Sequence, residues 1–287
     1  MDQHVSFQQV DVFTNQPYKG NPVAVIMAGD DLTTAQMQQI ANWCNLSETT
    51  FICSPTTQQA DYRLRIFSPQ HELPFAGHPT IGSARAILNQ GLIPKNKGYL
   101  IQECQQGLVK IYIENNKLFL TLPQPKKRKI MAPLLAQVAA KLGISTSDIQ
   151  LNEMIDVGAV WLTLQLQDAN QVLALQPDYN ELGKILPAGV TGVTVFGTTS
   201  ETAATDFEVR SFVPNEGVSE DPVCGSGNGC VAVMVRDYGL ISQDSYIASQ
   251  GSQVGREGYV TVYLSSDKGI LVGGEALTCI QGKILKP

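Results

Sequence analysis

Apolar residues recur along this chain with two periods, and the switches between them mark out its elements. Alternating or short continuous apolar runs predict strands at Phe7–Phe13 and Pro22–Met27, and near Thr49–Cys53 and Tyr62–Phe67. In the second half they recur near Val160–Leu166, Thr191–Phe196 and Phe207–Phe212. Helical spacing takes over between them. Thr33-Thr34-Ala35-Gln36 has the spacing of a capping box, which predicts a helix running to about Trp43. A second helix is expected to begin at Pro79, with Ile81, Ala84, Ile87 and Leu88 on one face. Met131–Leu142 reads as a helix ended by a C-cap at Gly143, and another helix starts near Gly227 and runs through Val231 and Val235.

The two halves repeat one another. Ala60-Asp61-Tyr62-Arg63-Leu64-Arg65-Ile66-Phe67-Ser68-Pro69 lies over Thr205-Asp206-Phe207-Glu208-Val209-Arg210-Ser211-Phe212-Val213-Pro214, with Asp, an aromatic, Arg, Phe and Pro coinciding. Three residues are then inserted in the second copy, after which Pro74-Phe75-Ala76-Gly77 falls on Pro222-Val223-Cys224-Gly225. Unrelated strand–turn–helix units also look alike, so the repeat is an expectation about structure. It predicts an α+β protein of two similar lobes, 1–125 and 126–287, with a cleft between them and the last strand a candidate to cross back to the first lobe.

Composition narrows the class. With 287 residues, 43% hydrophobic, the chain can bury a full core, and 25 Gly with 15 Pro point to tight turns. A formal net charge of -6 makes nucleic acid and anionic membranes unexpected partners. The one basic run, Lys126-Lys127-Arg128-Lys129, follows Pro123 and Pro125 and reads as a solvated linker. Met1–Val12 has neither the basic start nor the apolar core of a signal peptide, and no apolar run approaches a membrane span. The six scattered cysteines are therefore expected to be reduced thiols in the cytosol. Cys-x-x-Cys is absent and His occurs three times, so no structural zinc site is expected.

The repeated unit is a strand, a Gly-containing loop and a helix start, where backbone N–H groups lack helical partners and the dipole is positive. Gly77-His78-Pro79-Thr80 and Gly225-Ser226-Gly227-Asn228 could together hold a small acid and stabilise the negative charge formed when a neighbouring C–H loses its proton. The alternative is that both loops are merely tight turns. Such chemistry needs a base. Glu48, in Leu46-Ser47-Glu48-Thr49-Thr50-Phe51, opens an apolar strand, whereas the second half has Gly192-Val193-Thr194 at the same offset, without a carboxylate. Partial desolvation would raise the Glu48 pKa into a useful range; an exposed edge Glu is the alternative.

Gly20-Asn21-Pro22-Val23-Ala24-Val25, the Glu48 block, Phe75-Ala76-Gly77-His78-Pro79-Thr80 and Glu220-Asp221-Pro222-Val223-Cys224-Gly225-Ser226 resemble the signature blocks of PhzF-like proteins. Gln250-Gly251 followed by Gly255-Arg256 resembles a weaker late block. The resemblance spans nearly the whole chain in order. It implies the diaminopimelate epimerase fold, in which each lobe wraps a curved, mostly antiparallel sheet around a central helix. It also implies a homodimer, no metal or organic cofactor, and isomerase activity on a small carboxylic acid. Glu48 is then the proton shuttle, His78, Asp221 and Ser226 are polar substrate contacts, and Gly77 and Gly225 offer backbone N–H groups.

One departure matters. Related epimerases of this fold use two cysteines, one at each helix start; here the positions hold Ala76 and Cys224. A two-thiol mechanism lacks one partner. Cys224 is a candidate modulator, since a helix N-terminus can lower a thiol pKa, while Cys230, further into the same helix, reads as core. Two other readings stay open: a cysteine-dependent hydrolase or transferase using Cys224 and His78, and a non-catalytic small-acid-binding protein.

Overall fold

Burial runs through whole strands here, as in Thr49–Cys53, every residue of which is buried. Such strands must be covered on both faces, and that requirement organises the fold. The computed structural model describes residues 4–215, 217–264 and 267–287; the first three residues of the stretch read as lacking a signal peptide lie outside them. The chain divides into two compact units, Met1–Thr121 with Gly273–Pro287, and Leu122–Val272.

The first unit contains β1 (His4–Val12), β2 (Asn21–Ile26), α1 (Thr34–Cys44), β3 (Thr49–Cys53), β4 (Tyr62–Phe67), β5 (Glu72–Leu73), α2 (Gly77–Asn89), β6 (Tyr99–Cys104), β7 (Gly107–Glu114) and β8 (Lys117–Thr121). β1 pairs antiparallel with β2, β2 parallel with β3, and β3 antiparallel with β4. β4 pairs antiparallel with β5 and parallel with β6, from which β7 and β8 continue as a meander. The capping box at the start of α1 forms as the spacing predicts, with Thr33 and Gln36 each accepting from the other's backbone N–H. α2 is the central helix: His78 to Ala84 are all buried, and it packs on β1, β2, β3, β4 and β8. A helix covered all round in this way belongs inside the protein.

The second unit contains β9 (Lys126–Arg128), α3 (Ala132–Leu142), β10 (Leu151–Asp156), β11 (Val160–Asp168), α4 (Ala169–Ala174), α5 (Tyr179–Ile185), β12 (Gly192–Thr198), β13 (Phe207–Phe212), β14 (Glu220–Asp221), α6 (Gly225–Tyr238), β15 (Ser245–Gln250) and β16 (Gly258–Tyr263). The chain ends with β17 (Leu271–Gly274) and β18 (Ala276–Leu285), and β18 pairs antiparallel with β1 in the first unit. In the second unit β10 pairs antiparallel with β11, β11 parallel with β12, and β12 antiparallel with β13; β13 then pairs antiparallel with β14 and parallel with β15, and β15 antiparallel with β16. This is the same order of senses as β1 to β7, so each unit carries the same topology, with α6 in the place of α2. The α+β class is as expected from the sequence, and no helix among the described residues is long and apolar enough to cross a membrane.

The repeat is also energetic. Arg65 on β4 makes a two-pronged ion pair with Glu72 on β5, Nε to Oε1 at 2.8 Å and a terminal nitrogen to Oε2 at 2.7 Å. Arg210 on β13 repeats it with Glu220 on β14, at 2.9 and 2.8 Å. The three inserted residues lengthen the loop between these partners without disturbing the pair. Paired forks of this kind fix geometry as well as charge.

Three expectations shift. Lys126–Arg128 is not a linker but the short exposed strand β9, paired with β10; Lys127 Nζ reaches Asp237 Oδ2 at 2.7 Å and Glu153 Oε2 at 3.6 Å. The other two concern helix starts. α2 begins at Gly77 rather than Pro79, and α6 at Gly225 rather than Gly227. Each residue just outside the helix, Ala76 and Cys224, is in extended conformation, so the two glycines occupy the first helical position and their N–H groups point out of the helix end.

Candidate active site

Glu48 sits where the chain enters β3, and His78 is the second residue of α2. The structure brings them together: His78 Nε2 lies 3.4 Å from Glu48 Oε2, with side chains 9% and 17% exposed. Burial pushes the His78 pKa down to about 4, against a hydrogen bond to the backbone of Pro22 that raises it. Proline offers only a carbonyl there, so the imidazole donates. His78 is therefore neutral near pH 7. Gly77 is not demanded by packing, because a Cβ built on it would meet only Leu120 Cδ1, at 3.8 Å. What it leaves is an open approach to the backbone N–H groups at the head of α2.

The two ladders locate the counterpart of Glu48 in the second unit. Thr49 pairs with Phe67, and Val193 with Phe212; likewise Thr49 pairs with Ala24, and Val193 with Leu162. The residue before each is Glu48 in one unit and Gly192 in the other. A Cβ at Gly192 would lie 2.1 Å from the Phe212 carbonyl oxygen and 3.0 Å from Trp161 Cζ3. The second unit thus lacks not only the carboxylate but the space for one.

At the head of α6, Cys224 is the N-cap and its Sγ accepts from the Gly227 N–H at 3.2 Å. Asp221 Oδ1 accepts from the Val223 N–H at 3.0 Å. Burial raises the Asp221 pKa to about 6, opposed by hydrogen bonds from Val223 and the Cys224 side chain. Ser226 Oγ lies 3.6 Å from Cys224 Sγ and accepts from the indole N–H of Trp161 at 3.0 Å. Gln250 braces the turn: its Oε1 accepts from the Cys224 N–H at 3.1 Å and from Asn228 Nδ2 at 2.9 Å, and its Nε2 donates to the Asp221 carbonyl at 2.9 Å. Gly251 follows at φ 107, with a Cβ there 2.5 Å from the Pro222 carbonyl oxygen, so this late block is fitted to the loop before α6.

The expectation of an activated Cys224 is corrected. Burial, and next the Asp221 carboxylate, push its thiol well above the ordinary range, outweighing the Gly227 N–H. The helix N-terminus therefore does not pre-ionise this thiol. Cys230 is fully buried, as core.

Glu48 and His78 therefore form one cluster, and Asp221, Cys224, Gly225 and Ser226 a second. Reasoning from sequence missed Trp161, and noticed Asn228 and Gln250 only within blocks. A signal for Trp161 existed: it is one of two Trp, it lies in an apolar strand, and a buried indole N–H seeks an acceptor.

Residues 10–282 match the family described as phenazine biosynthesis-like protein, PhzC-PhzF. The chain is 43% identical over 297 residues to antisense-enhancing sequence 1 of Schizosaccharomyces pombe, covering 99% of both chains. It is 33% identical to trans-2,3-dihydro-3-hydroxyanthranilate isomerase of Pseudomonas fluorescens, covering 86% of each. Its fold is similar to the crystal structure of a Bacillus anthracis phenazine biosynthesis protein of the PhzF family, with a TM-score of 0.86 and 23% identity over 98% of this chain and 99% of that one.

Proposed function

Because this chain belongs to the phenazine biosynthesis-like PhzC-PhzF family, we propose that it moves a proton within a small carboxylic acid, using Glu48 as the acid–base group. It is an isomerase by that kinship. The observation that carries the mechanism is the pairing of Glu48 with a buried, neutral His78 at 3.4 Å. A carboxylate enclosed beside a neutral imidazole can take a proton and hold it, since the imidazole nitrogen facing it can accept a hydrogen bond from the protonated acid. Removing a proton beside a carboxylate leaves negative charge, and the N–H groups at Gly77 and His78, and at Gly225 and Ser226, are donors suited to stabilise it. The Asp221 side chain and the Ser226 hydroxyl complete the substrate contacts in this reading.

One base favours one kind of isomerisation. Inverting a stereocentre calls for an acid and a base on opposite faces of the carbon, and the two-thiol pair that would supply them is incomplete here, because Ala76 stands at the first position. A shuttle that removes the proton and returns it elsewhere on the same face needs Glu48 alone. The reaction is redox-neutral, and every group it uses belongs to the chain, so no cofactor enters it. The relative's name points to a cyclic, unsaturated, hydroxylated amino acid as the first substrate class to try. A cytosolic homodimer remains part of this reading.

The test is exchange in deuterium oxide. Wild-type protein given small unsaturated acids of that class should wash deuterium into the substrate. Glu48→Gln should fold, still bind the acid, and exchange about 10²–10⁴ times more slowly. Wash-in by Glu48→Gln at the wild-type rate would show that Glu48 is not the shuttle.

A further inference from the structure

Trp161 lies on β11, and its ring is 1% exposed. Its Nε1 is 3.0 Å from Ser226 Oγ on the first turn of α6, 65 residues along the chain. An indole nitrogen can only donate. The bond therefore occupies a lone pair of Ser226 Oγ and directs the hydroxyl hydrogen elsewhere. The second neighbour within reach is Cys224 Sγ at 3.6 Å, a weak acceptor already receiving the Gly227 N–H at 3.2 Å. A carboxylate oxygen would displace sulfur from that hydroxyl, because charged acceptors make much stronger hydrogen bonds.

The ring is held there by the fold. It lies against Gly192, where a Cβ would stand 3.0 Å from Cζ3. In the first unit the residue matching Trp161 is Val23, which precedes Ala24 as Trp161 precedes Leu162 in the equivalent ladders, and the residue matching Ser226 is His78. The donor and its acceptor thus occur as a pair in one copy, and neither occurs in the other.

We propose that Trp161 is a positioning residue: its indole N–H fixes Ser226 as a hydrogen-bond donor to the carboxylate of the substrate. This rests on the isomerase reading for the identity of the ligand, but not on Glu48 as the base.

The chain has two Trp, and the other, Trp43, is 82% exposed, so ¹⁵N-indole labelling gives two distinguishable signals. Sodium acetate is titrated against sodium chloride of equal ionic strength. The Trp161 signal should move saturably with acetate and not with chloride, while Trp43 stays still. Ser226→Ala should shift the Trp161 signal and abolish its response. Trp161→Phe keeps the ring and removes the donor; read at the Ser226 backbone amide, its acetate affinity should fall about five- to tenfold. The double variant should be no weaker than Ser226→Ala alone, because the two residues act as one unit. A Trp161 signal indifferent to acetate, or losses that add in the double variant, overturns the proposal. If Trp161→Phe fails to fold, the wild-type and Ser226→Ala indole signals decide it. Glu48→Gln should leave the acetate response intact, so failure of the proton-shuttle reading and failure of this one are separately visible.

Discussion

Glu48 Oε2 and His78 Nε2 stand 3.4 Å apart, with the His78 side chain 9% and the Glu48 side chain 17% exposed. The His78 pKa is depressed to about 4 from 6.5. Between those values the unfolded chain holds the proton and the folded one does not, so the stability His78 contributes is present above pH 6.5 and is lost as pH falls toward 4. The full swing is on the order of 3 kcal/mol. His78→Asn should flatten the fall in stability over that window, measured as the urea midpoint against pH. An unchanged slope would mean that His78 is not the titrating group.

Asp221 works in the opposite sense. Its pKa is raised to about 6 from 3.8 by burial, so its protonated form favours the folded state and that contribution is lost as pH rises through about 6. Asp221→Asn, which can still accept the Val223 N–H, should raise the melting temperature at pH 7 and give no gain at pH 3.5. It should also impair turnover, the usual tension between a stable and a working site.

Arg210 and Arg65 make the same pair in different surroundings. The Arg210–Glu220 side chains are 4% and 2% exposed, against 23% and 17% for Arg65–Glu72. Arg210 also donates to the carbonyls of Val172 and Leu175 at the end of α4. Arg210→Ala should therefore cost about 3–5 kcal/mol by stranding a buried carboxylate, and Arg65→Ala about 1 kcal/mol. Urea unfolding of the two variants reads the difference.

Gly77 and Gly192 should respond differently to one methyl group. At Gly192 the new Cβ would be 2.1 Å from the Phe212 carbonyl oxygen, at Gly77 no nearer than 3.8 Å to Leu120. Gly192→Ala should lower the urea midpoint by an amount worth about 1–3 kcal/mol. Gly77→Ala should keep stability within about 0.5 kcal/mol and lose acid binding, because the methyl covers the approach to the helix-end N–H groups.

Cys224 should be slow to alkylate. All six thiols are free, with Cys44, Cys104 and Cys279 partly exposed and Cys224 buried. Iodoacetamide at pH 7.5, followed by peptide mass spectrometry, should label those three well before Cys224. Cys224→Ser should retain turnover; its complete loss in a folded variant would restore the cysteine chemistry set aside here.

The linear chain already determined most of the elements and the duplication. Both are written in local patterns: periods of apolar residues, the Thr33–Gln36 capping spacing, the glycine that ends α3 at φ 78, and the repeated Asp-aromatic-Arg-Phe-Pro string. The ordered blocks around Glu48, Gly77 and Gly225 likewise sufficed for the family. The heads of α2 and α6 escaped by two residues each, since Gly-His-Pro and Gly-Ser-Gly carry no apolar period and the extended Ala76 and Cys224 bear no typical capping side chain. Only the tertiary structure decided that Cys224 stays protonated, that His78 is neutral, that Gly192 leaves no room for a second carboxylate, and that Trp161 reaches Ser226. A proton's affinity depends on burial and on neighbours brought in from distant parts of the chain, and a hydrogen bond between β11 and α6 exists only once both elements are packed. Periodicity records which face of an element is covered, not what covers it.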